Sequence, residues 1–212
     1  MDLGQWIVII LSFFLAAWYL GANIFNRRKG ITTYYWLRRG LEKLGKITEA
    51  EWLGSSGSGA KLVVGKAAKP FGKIEAIYML ETREILPFWI VNHLRGKRDE
   101  IIVKATLRST PKQEFEVGRT GDRQFASLQS DETMDSFEQV PAPEGFQILW
   151  HGHKDEQRIE QLIAFLSQEG VSVQRISMHR KIPHLVINAR LKPLIDSPAE
   201  SFFTKLQAWL GG

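Results

Sequence analysis

Trp6 to Phe25 reads WIVIILSFFLAAWYLGANIF, twenty consecutive residues without a charge. At about 1.5 Å rise per residue a helix of this length covers roughly 30 Å, the hydrocarbon thickness of a bilayer. Ser12, Tyr19 and Asn23 are its only polar interruptions, so it lacks the polar face of a helix in a soluble core. A cleavable signal peptide carries positive charge ahead of a shorter apolar stretch. Here Asp2 precedes the stretch and Arg27-Arg28-Lys29 follows it, which predicts a retained membrane anchor. Basic residues beside a span stay in the cytoplasm, so the N-terminus is expected outside and the C-terminal bulk inside.

The excess of Lys and Arg belongs to the same region. Residues 1–50 hold seven bases, Arg27, Arg28, Lys29, Arg38, Arg39, Lys43 and Lys46, against three acids, leaving 21 bases and 20 acids in the remainder. A near-neutral remainder gives no broad electrostatic footprint for DNA or RNA. Between Ile31 and Lys46, Tyr34, Leu37, Leu41 and Leu44 recur at helical spacing with the charges elsewhere around the helix. An amphipathic juxtamembrane helix is expected, its seven bases meeting anionic lipid headgroups or ribosomal RNA phosphates. The chain then divides into a transmembrane anchor at 1–26, this basic helix at 27–47, and a cytoplasmic domain at 48–212.

Within that domain the Gly/Ser run 54–59 predicts a turn. It is not a phosphate loop, because Ala60-Lys61-Leu62 replaces the required Lys-Ser/Thr after the last glycine. Strands are expected at 61–67 and 73–84, where Ile74, Ala76, Tyr78 and Leu80 alternate with their neighbours. A short helix from Pro87 to Arg95 should bury most of Phe88, Trp89, Ile90, Val91 and Leu94. Strands 100–108 and 113–119 read as a hairpin turning at 109–112. Residues 120–145 form a long mixed loop with Asp131, Glu132, Asp135 and Glu138. The last third predicts a strand (146–150), a helix (154–168), two strands (171–178 and 184–191) and a closing helix (199–210). Elements mixed without strict βαβ alternation favour an α+β fold with a mostly antiparallel sheet.

The absence of cysteine excludes disulfides, thiolate metal sites and a cysteine nucleophile. His151 and His153 with Asp155 have metal-ligand chemistry, but a polar strand-to-helix connection explains them better, since no third ligand or supporting shell is evident. His93, His179 and His184 are scattered, and no serine has a nucleophile context such as G-x-S-x-G. Neither enzymatic activity nor a cofactor or metal is expected. Two further basic runs, Arg95-Gly-Lys97-Arg98 and Arg175 with His179-Arg180-Lys181, are solvated surface or contacts to phosphates or an acidic partner.

Leu94-Arg95-Gly96-Lys97-Arg98, leading into Asp99-Glu100-Ile101-Ile102-Val103-Lys104-Ala105-Thr106-Leu107, resembles the D-x-φ-x-φ-K-x-T-φ strand of the calumin family, the coiled-coil-domain subunit of the PAT complex. Phe115-Glu116-Val117-Gly118-Arg119 is similar to that family's F-x-V-G turn. The order of anchor, strands and closing helix extends the likeness over nearly the whole chain. The resemblance implies a non-enzymatic scaffold or chaperone cofactor beside the Sec translocon and ribosome. Its partners would be nascent multipass proteins and a small membrane subunit. The family's acidic region before the anchor and basic coiled coil after the domain are absent from these 212 residues. The short form implies a prokaryotic, archaeal-type relative in the plasma membrane; a eukaryotic form would sit in the endoplasmic reticulum. The alternative expectation is a membrane-anchored adaptor or regulatory domain that binds an unrelated soluble protein.

Overall fold

The structure, a computed structural model, describes residues 2–122, 125–127, 136–170 and 172–211. It has an α+β fold: one long apolar N-terminal helix, then a nine-stranded antiparallel sheet and helices. The elements are α1 (Leu3–Glu42), β1 (Ile47–Trp52), β2 (Gly59–Val64), β3 (Phe71–Met79), α2 (Leu86–Leu94), β4 (Glu100–Leu107) and β5 (Glu114–Arg119). They continue with β6 (Glu138–Val140), β7 (Phe146–His151), α3 (Glu156–Glu169), β8 (Val173–Met178), β9 (Leu185–Arg190), α4 (Leu191–Ile195) and α5 (Ala199–Gly211). Asp131, Glu132 and Asp135 lie outside the described residues.

Helix α1 begins in a capping box, the Asp2 carboxylate accepting from the Gln5 amide while the Gln5 side chain accepts from the Asp2 amide. By length and composition it can cross a membrane. It then runs on without a break to Glu42, so anchor and juxtamembrane helix are one element rather than two. The expectation that the amphipathic face of 31–46 meets headgroups is corrected as well. Asn26, Gly30, Thr33, Leu37, Leu41 and Leu44 form one inward stripe, and the three leucines are essentially fully buried against the domain. An amphipathic pattern is the same whether lipid or a sheet covers it; here α5 and β2 cover it. The domain core therefore starts near Asn26, not at residue 48.

Two glycines permit the approach. A Cβ at Gly30 would overlap the carbonyl oxygen of Ser56 in the β1–β2 turn, and one at Gly40 would meet the Phe203 ring of α5. The Gly30 carbonyl also accepts from the Tyr78 hydroxyl at 2.7 Å, and burial pushes that phenol up. We expect Gly30→Ala to cost about 1–3 kcal/mol, because the turn must lift from α1; chemical unfolding of the full chain in detergent checks it.

The sheet order is β1-β2-β3-β4-β9-β8-β5-β7-β6. The expected β4–β5 hairpin does not form, because the β8–β9 hairpin lies between those strands. Arg108 shows why the chain does not turn back after β4: its amide donates to Pro70 O, and its guanidinium to Phe71 O and Ala67 O, carrying the chain to the β2–β3 corner. Ile74, Ala76 and Tyr78 point into the core as their alternation predicts, and Leu80 just past β3 is buried too. Ile159, Leu162 and Leu166 of α3 and Phe202, Phe203 and Leu206 of α5 also join the core. Strand β1, ITEAEW, escapes the sequence reading because it is an edge strand with almost every side chain exposed.

Candidate functional site

Where α1 leaves its uncharged stretch, the β3–α2 connection, α2 and the residue before β4 converge on a polar knot. Asn26 is fully buried; its amide nitrogen donates to Glu81 O at 2.9 Å and Glu84 Oε1 at 3.0 Å, and its Oδ1 accepts from Arg83 at 3.0 Å. Arg83 forms a two-pronged pair with Asp99, at 2.9 and 2.8 Å, and reaches Glu81 Oε2 at 2.9 Å. Lys29 closes on Asp99 Oδ2 at 2.6 Å, and the Glu81 amide donates to Asp99 Oδ1 at 2.7 Å. The Glu81 carboxylate also accepts from Trp89 Nε1 at 3.0 Å and lies 3.3 Å from His93 Nδ1.

Asp99 is the hub. Burial alone would push its carboxyl up, but the bonds from Arg83, Lys29 and the Glu81 amide outweigh that and hold it below the usual aspartate range. A carboxyl lowered on folding stabilises fully above its unfolded value, and the contribution is lost as pH falls through the lower folded value. The full chain should therefore weaken as pH drops below 3.8, and Asp99→Asn should remove that part of the acid loss in a pH series of denaturant unfolding.

The knot sets α2 against α1. Trp18 donates through Nε1 to Arg83 O at 2.8 Å, and its ring centroid lies 5.4 Å from that of Trp89. The Arg83 guanidinium and the Lys29 ammonium lie over the Phe25 ring at 5.4 and 5.9 Å. The predicted burial of α2 is overturned: Phe88, Ile90, Val91 and Leu94 are exposed, Trp89 is half-buried, and the helix turns Asn92 inward. Apolar residues all around a short helix do not reveal which side meets the protein.

The basic residues singled out in the sequence separate into used and free. Arg27, Arg28, Arg39, Lys43 and Lys46 on α1 and just beyond it are exposed and form no ion pair among the described residues; Arg38 pairs with Glu42, and Lys29 belongs to the knot. Along the helix axis Arg38 stands roughly 20 Å beyond Phe25, so the collar next to the apolar stretch consists of Arg27 and Arg28. Arg95 and Lys97 are exposed beyond α2 without ion pairs among the described residues, while Arg98 bonds the carbonyls of His93 and Lys97.

The second basic run is largely committed internally. Glu116, buried on the sheet face opposite Phe115 and Val117, accepts from Arg175 at 3.1 Å and Ser177 at 2.7 Å and lies 2.8 Å from His179 Nε2. Arg180 donates its amide to Glu114 and its guanidinium to Lys112 O, leaving Lys181 exposed. Asp155 caps α3 by accepting from the Arg158 amide, and His151 bonds Ser136 O. Among the described residues no group of three His, Asp or Glu side chains is arranged to hold a metal.

Asn26, Glu81 and Arg83 were not singled out by sequence reasoning, and Asp99 entered only as the first residue of the calumin-like strand pattern, since each is an ordinary polar residue at the end of an element. The available signal was one polar residue, Asn26, directly after an uncharged run. Compared with known proteins, the chain matches no protein-family model and no curated protein.

Proposed function

We propose that the chain is a single-pass, non-enzymatic membrane-protein biogenesis factor that holds its C-terminal domain at the cytoplasmic face and assists multipass insertion beside the Sec translocon and ribosome. The observation that carries this reading is the unbroken α1, exposed and apolar in its first half and part of the domain core in its second. A tether with a flexible linker lets a domain wander; a continuous helix locked by Lys29, Arg83 and Asp99 fixes its height and orientation, as a scaffold beside a fixed channel requires. The calumin-like strands supply the insertion context. Exposed Arg27 and Arg28 support the cytoplasmic placement.

Two experiments test it. With no native cysteine, Leu3→Cys should react with an impermeant maleimide outside intact cells; labelling confined to Ala208→Cys reverses the orientation. Crosslinking in native membranes should recover Sec subunits, ribosomal proteins or nascent multipass chains. Recovery of unrelated soluble proteins instead favours the second reading, an anchored adaptor. A specific feature speaks for that alternative: the sheet face opposite Ala76, Tyr78 and Val103 presents Ile77, Met79, Ile102 and Val186 at least partly exposed, beside Lys104.

A further inference from the structure

Helix α2 is inside out for a soluble domain. Ile85 is 56% exposed, Phe88 52% and Leu94 81%, with Ile90 and Val91 also outward, while its one buried residue is Asn92. Apolar side chains facing out and an amide facing in are the pattern of a surface whose solvent is not water. The helix contains no Asp, Glu, Lys or Arg.

Its position says what that solvent is. Trp89 packs on Trp18, which lies inside the uncharged stretch of α1, seven residues before Phe25 and so roughly 10 Å along the helix axis from its charged end. The exposed apolar surface of α2 is therefore continuous with that of α1. Between them runs a crevice of about 340 Å³ lined by Ala17, Trp18, Gly21, Ala22, Phe25 and Trp89, apolar except where Arg83 closes it. Arg95 and Lys97, exposed just past the C-terminus of α2, and Arg27 and Arg28, exposed just past Phe25 on α1, put cations at the end of each apolar segment, suited to anionic headgroups.

We propose that α2 is a second membrane-contacting element, a helix lying in the same leaflet as the C-terminal half of the α1 span, with lipid acyl chains against Phe88, Val91 and Leu94 and in the crevice beside Trp18. The inference rests on the reading that α1 crosses the bilayer, and the test separates the two. Single-cysteine forms of the full chain, Phe88→Cys, Leu94→Cys, Val8→Cys near the N-terminal end of the span and Glu160→Cys on α3, are labelled with an environment-sensitive fluorophore. They are reconstituted in mixed phosphatidylcholine and phosphatidylglycerol vesicles. Nitroxide lipids should quench labels at 88 and 94 as they quench the one at 8, most strongly with the nitroxide high on the acyl chain, and emission should shift to the blue relative to 160. Labels at 88 and 94 open to a water-soluble quencher, with position 8 still in lipid, overturn the inference and leave the anchor reading standing. Labels shielded from both quenchers overturn it in favour of a protein occupant such as a second copy. A label at position 8 outside lipid overturns the anchor reading itself and the inference with it.

Discussion

Asp99→Ala should lower the unfolding free energy of the full chain by about 3–5 kcal/mol, the cost of leaving a buried ionic network one carboxylate short. Its side chain is 5% exposed and binds Arg83, Lys29 and the Glu81 amide together. Removal strands an amide and leaves Arg83 and Lys29 to share a single buried carboxylate already engaged by Trp89. Partial recovery is expected when Lys29→Met is added, because one of the stranded charges then disappears. Denaturant unfolding in detergent micelles measures both. A loss under about 1 kcal/mol would place the knot with ordinary surface ion pairs and remove the basis for a fixed domain.

Phe203→Ala should be as costly, about 3–5 kcal/mol, by a different route. The ring is fully buried, packs edge-to-face on Phe202 at 5.3 Å, and fills the space that Gly40 leaves on α1. Truncation opens a void between α1 and α5, two helices too constrained by the sheet beneath them to close it. Phe203→Leu keeps most of the volume and should cost under about 1.5 kcal/mol. Equal losses for the two variants would show that shape, not volume, governs the contact.

These two sites show what was legible in the sequence. Phe203 belongs to a helical repeat with Phe202, Leu206 and Leu210, so its burial follows from spacing. Asp99 stands in a charged run, Lys97-Arg98-Asp99-Glu100, where nothing local separates the buried member from the exposed ones. The same contrast holds for the fold. The apolar run, the alternation around Tyr78 and the last two long helices were readable because each pattern is local. The break assumed near residue 27, the outward face of α2 and the β4–β5 hairpin failed because each depends on what lies across the chain. The basic residues were easy to find, but their division into free and engaged depends on Glu116, Glu114 and Asp99 arriving from distant elements.

The unbroken α1 makes the protein a lever. Forty residues at about 1.5 Å each give a rod of roughly 60 Å, and a spanning helix answers a thinner or thicker bilayer by changing its tilt. With no joint between the two halves, a change in tilt of about 10° carries the far end of that rod sideways by roughly 10 Å. Under the proposed reading, in which α1 crosses the bilayer, the domain's reach across the membrane surface is thereby coupled to bilayer thickness.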